Sequence, residues 1–76
     1  MNPNATPSPA SFATSDRRAA VIAAITLRAR ALRSTPEDYE AALRRGLMVF
    51  DTLGRTAFAL CMAYRVLHRA AERGAA

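Results

Sequence analysis

Cys61 and His68 stand seven residues apart, so a helix would carry a thiol and an imidazole on the same flank, two turns from each other. A nucleophile and its base are built from such groups, yet these two are more than one turn apart and no third residue is spaced to orient the imidazole. A cysteine among apolar neighbours and a histidine near a helix end account for both positions without chemistry. With a single histidine, a single cysteine and scattered carboxylates, the chain has no dense ligand cluster for a metal and no clustered thiols for structural zinc. No glycine-rich phosphate loop follows a strand, and no segment alternates as a strand would. The expectation is a non-catalytic protein with no catalytic, cofactor-binding or metal residues.

The basic residues carry a second kind of chemistry. All eleven are arginine, against six acidic groups, for a formal charge of +5. Arg65, Arg69 and Arg73 are successive fourth residues and form a stripe along one helix face. Together with Arg44 and Arg45 they are the candidate nucleic-acid contacts, where arginines position a phosphate backbone and add a salt-dependent affinity. A basic last turn is equally the outcome of helix-end electrostatics, and neither a helix-turn-helix nor zinc-finger spacing is present. The same charge favours encounter with an acidic protein or an anionic membrane face. Arginine in particular forks to a carboxylate or stacks on a ring, which suits an interface.

The third kind is apolar. Between Leu47 and Leu67 the chain is greasy on more than one helical face. One seam steps by fours and threes through Tyr39, Leu43, Gly46, Phe50, Leu53, Ala57, Leu60, Tyr64, Leu67 and Ala71. Opposite it stand Met48, Phe58, Met62 and Val66. A helix apolar nearly all round is expected to be covered nearly all round, and the candidate protein-interface residues are Leu47, Phe50, Phe58, Met62, Tyr64 and Val66.

The elements that must position these residues read as helices. Met1 to Thr14, with three prolines among small polar residues, reads as a disordered tail in which Phe12 is the one aromatic. Thr14 or Ser15 can cap a first helix to about Arg33, with Val21, Ile22, Ile25, Ala29 and Leu32 on one arc. Pro36 closes that helix, because the residue before a proline is steered out of the helical region. Thr35, Pro36, Glu37 and Asp38 then supply cap, first position and first-turn charge for the next. Asp51 with Arg55, Glu40 with Arg44 and His68 with Glu72 are spaced to pair along it.

A connection as short as Ser34-Thr35 folds two helices against each other. The first would measure roughly 28 Å and an unbroken second roughly 57 Å. Gly46 and Gly54 are the candidate breaks, but the seam keeps its phase through both, and an interior glycine costs only about 1 kcal/mol relative to alanine. The expected fold is therefore all-α: residues 15–76 form a hairpin of a short first and a long second helix whose overhang dimerises into a bundle. The alternative is a compact three-helix bundle broken at a glycine.

Seventy-six residues make one small domain, near the size at which a core supplies only about 3–5 kcal/mol unaided. Without a basic segment leading an apolar run at the amino terminus, the expected location is the cytoplasm. Asp51, Arg55 and Arg65 fall within the most hydrophobic region and make membrane insertion costly. Taken together these features describe a small helical adaptor, anti-activator or inhibitor-like protein. It self-associates or binds a partner protein through the apolar faces of its long helix. The alternative is a small arginine-rich DNA- or RNA-binding regulator.

Overall fold

Gly54 decides the architecture. In the computed structural model, which describes residues 9–75 and side chains from 14 to 74, Gly54 adopts φ 66° and ψ 18°. Its N–H donates to the Phe50 carbonyl at 2.7 Å. This left-handed conformation, open to glycine at little cost, ends one helix and turns the chain back on itself. Three helices result: α1 Pro9–Ala31, α2 Pro36–Leu53 and α3 Thr56–Ala75. The unbroken second helix is thus replaced by two helices joined through Gly54 and Arg55. The short connections make α2 antiparallel to both neighbours, and each helix packs on the other two.

Heptad phase is the same whether or not the helix breaks here, and α1 adds side-chain contacts to the corner that no local spacing encodes. The Arg17 guanidinium donates to the Gly54 carbonyl and, at 3.4 Å, to the Thr56 hydroxyl, and lies 5.3 Å over the Phe50 ring. Next to it, Arg18 forks onto Asp51 at 3.1 and 3.3 Å. That hydrogen bond first, and the Asp51 charge second, raise the Arg18 pKa above its ordinary value. Asp51 is thus engaged by α1 instead of by Arg55. Folding back also covers apolar surface on both halves of the former seam, which an extended helix would leave to water.

Close packing is centred on Gly46. A Cβ there would lie 2.8 Å from Ile25 Cδ1, 3.1 Å from Ala63 Cβ and 3.5 Å from the Ala59 carbonyl oxygen, so all three helices converge on the missing side chain. Val21, Ile25 and Ala29 enter from α1, Ala42, Val49 and Phe50 from α2, and Ala59, Ala63 and Leu67 from α3. Small residues bring the helices close but leave the core thin. Ile25, Leu67 and Val21 are the largest fully buried side chains, each worth about 1.5–3 kcal/mol in burial. The seam divides accordingly: Gly46, Phe50 and Leu67 are core, whereas Leu53 is 55% exposed and Ala57 is exposed, at the corner where the phase resets.

Thr35 caps α2, its hydroxyl accepting from the Asp38 N–H at 3.1 Å, with Pro36 opening the helix and Glu37 and Asp38 in its first turn. At the other end of the bundle, α1 begins at Pro9, so Thr14 and Ser15 lie inside the helix and neither caps it. Residues 1–8 and the Phe12 side chain lie outside the described residues. Between α1 and α2, Thr26 donates its hydroxyl hydrogen to the Ile22 carbonyl at 2.8 Å. Its contact with the Tyr39 hydroxyl, also 2.8 Å, therefore has Tyr39 as donor.

The α1 end closes as a Schellman turn, with Ser34 N–H on the Ala29 carbonyl at 2.9 Å and Arg33 N–H on that of Arg30 at 3.1 Å. Arg33 occupies the left-handed position at φ 53°, where a Cβ crowds the carbonyl that follows. Arg33→Gly is expected to remove that crowding and raise stability by about 1 kcal/mol, some of it offset by the freer unfolded chain. Urea unfolding monitored by helix signal checks this; a lower midpoint would show that the arginine side chain contributes more than its backbone costs.

Candidate docking face on helices α2 and α3

Among the described residues, helix α1 covers one side of the α2/α3 pair and nothing covers the other. On that open side α2 contributes Ala41, Arg45 and Met48 at helical spacing, and α3 contributes Phe58, Met62 and Val66 as successive fourth residues. Ala41, Arg45, Met62, Arg65, Val66 and Arg69 line one groove between the two helices. Ala41, Arg44, Arg45 and Met48 line a shallower depression beside it. Met48 is 54% and Phe58 47% exposed, while Met62 and Val66 are half-buried at the edge of the core. The floor is therefore apolar, with one methionine in each hollow, Met62 and Met48, whose unbranched thioethers adapt to the surface they meet.

Four of the five arginines singled out in the sequence meet here. Arg45 lines the groove from α2 and Arg65 and Arg69 from α3, while Arg44 lines the depression beside it. Among the described residues none of the four guanidiniums has an ion-pair partner, and the expected Glu40 with Arg44 pair is not made. Arg73 sits apart, 3.9 Å from Asp38 where the end of α3 meets the start of α2.

The six candidate interface residues do not share one surface. Phe58, Met62 and Val66 lie on the open face. Phe50, 2% exposed, is inside the core beneath Arg17, and Leu47 is half-buried. Tyr64 faces α1, with the Arg28 guanidinium 4.2 Å above its ring. Met48 also belongs to the face, which its spacing opposite the seam does not by itself convey. Its position at α2 spacing from Ala41 and Arg45 becomes informative once α3 is known to lie alongside.

Cys61 is exposed on α3, in a shallow depression lined by Ala57, Leu60, Tyr64, Arg65 and His68 of the same helix. His68 Nε2 lies 3.1 Å from Arg28 Nη1, and because arginine only donates, that ring nitrogen is the acceptor. Cys61 and His68 are about 10 Å apart along the helix axis, beyond reach for proton transfer. His68 thus turns to Arg28 and not to Glu72. Among the described residues no group of three or more His, Cys, Asp or Glu side chains is placed to hold a metal ion, and no helix is long and apolar enough to cross a membrane.

Comparison with known proteins yields no match to a family model, a curated protein or a solved structure.

Proposed function

We propose that this chain is a non-catalytic helical interaction module that binds a partner protein through the open face of α2 and α3. The observation that carries the reading is the exposure of Met48 and Phe58 beside half-buried Met62 and Val66, on the one side of the helix pair that α1 leaves bare. In so small a domain, large apolar groups held outside a core in which four of the nine buried hydrophobic residues are alanine are a cost to solubility that a binding surface explains. Self-association through the same face would set Arg44, Arg45, Arg65 and Arg69 of one copy against those of another, so a different protein fits better than a second copy. The second reading, nucleic acid, draws on those same four unpaired guanidiniums; the methionines between them offer a phosphate backbone nothing.

Site-specific photo-crosslinking in the cell that makes the protein tests this. A crosslinker at Met48 or Met62 is expected to give discrete protein adducts that disappear when Phe58→Asp is added, while one at exposed Ala23 on α1 gives none. Adducts that a nuclease removes would favour the arginine-led reading. Equal yields from Ala23 and Met62 would reject the face.

A further inference from the structure

We propose that the occupant of the open face is an acidic amphipathic helix, lying along the α2/α3 groove as a fourth rod opposite α1; this rests on the docking reading above. The groove floor is Ala41, Met62 and Val66, with Arg45 on the α2 wall and Arg65 and Arg69 on the α3 wall. A helix seated there places an apolar stripe on the floor and directs its two flanks at the walls, the arrangement in which amphipathic helices fill hydrophobic grooves. Those flanks meet guanidiniums on both sides, with Arg44 extending the α2 row. Arginine forks to carboxylates, so the complementary flanks carry Asp or Glu. Arg65 and Arg69 are one turn apart, which calls for partner acids one turn apart as well.

An extended peptide gains nothing comparable, because the groove walls are helices whose backbone groups are already bonded and offer no sheet edge. The chain's own charge of +5 disfavours a second copy in this position. The α1 side of the same helix pair shows that the pair accepts a helix: Val21, Ile25 and Ala29, successive fourth residues, fill the furrow against Gly46 and Ala63.

The test uses the full chain with isotope-labelled methyl groups and three synthetic amphipathic helices of about 18 residues, long enough to span α2. They share leucines on one face and differ only in flanks of glutamate, glutamine or lysine. The glutamate peptide is expected to shift the Met48, Met62 and Val66 methyl signals and to bind about tenfold more tightly than the glutamine peptide, less so as salt is raised. The lysine peptide is expected not to bind. With Arg44, Arg45, Arg65 and Arg69 all replaced by glutamate, so that both walls change sign, the order of the glutamate and lysine peptides should reverse, a result that loss of folding cannot produce. Equal binding of glutamate and glutamine peptides would overturn the acidic partner and leave the docking face standing. Shifts confined to Leu27 and Leu60 on the α1 side, or no binding at about millimolar peptide, would overturn the proposal. A DNA duplex that moves the Met48 and Met62 signals more tightly than any peptide would overturn both readings.

Discussion

Gly46→Leu is expected to abolish the cooperatively folded state, and Gly46→Ala to weaken it measurably. Even the single methyl of alanine would stand 2.8 Å from Ile25 Cδ1 and 3.1 Å from Ala63 Cβ. Ile25 is fully buried, so its terminal methyl has nowhere free to swing, and Ala63 moves only if α3 moves with it. Alanine recovers up to about 1 kcal/mol of helix propensity, while overpacking a tight core costs about 1–3 kcal/mol. The net loss for Gly46→Ala is about 1 kcal/mol, which in a domain of this size lowers Tm by about 4–8 °C. Leucine adds a volume that no rotamer can place without parting the three helices. Gly74→Ala, whose added Cβ meets nothing within 4 Å, is the control and should leave Tm unchanged or slightly higher. Thermal melts followed by helix signal decide the matter; a Gly46→Ala melt at or above the parent would show that the helices do not approach this closely.

Leu67→Ala and Leu53→Ala should differ by most of the domain's stability although both residues belong to one heptad seam. Leu67 is fully buried, and truncating such a leucine costs about 2–5 kcal/mol. A core of this size supplies about 3–5 kcal/mol in total, so the variant is largely unfolded at room temperature. Leu53 is 55% exposed at the corner, and its truncation should stay within about 0.5 kcal/mol of the parent. Denaturant titration of the two variants reads the difference directly. Comparable losses at both positions would mean that the seam runs unbroken, as a single long helix would have it.

That contrast locates what periodicity can and cannot convey. The seam Tyr39 to Ala71 is a true record of helical phase within α2 and within α3, and it correctly includes Gly46, Phe50 and Leu67 in the packed interior. It is silent on direction. A helix that continues through Gly54 and one that reverses there carry the same apolar spacing, and the two differ only in contacts between residues far apart in sequence: Ala59, Ala63 and Leu67 packed against α1 and α2, with Arg17 reaching the Gly54 carbonyl, the Thr56 hydroxyl and the Phe50 ring. Reversal also regroups side chains. Arg45 on α2 and Arg65 and Arg69 on α3 come to line one groove, which merges what reads in the sequence as a nucleic-acid stripe with what reads as an apolar interface. Tyr64 and Phe50 leave that interface for the α1 side and the core.

Local chemistry in the sequence determined the helical class, the Thr35-Pro36 start of α2, the first-turn acids and the excess of apolar circumference between Leu47 and Leu67, because each rests on neighbours within a turn or two. Tertiary structure alone decided that Gly54 is a corner, that Asp51 answers to Arg18, and that four guanidiniums gather unpaired around Met48, Met62 and Val66. The physical reason is range. A cap or a helical period is set by bonds between near neighbours, whereas a glycine that can either continue a helix at about 1 kcal/mol or reverse it is resolved only by contacts that exist once the chain has folded.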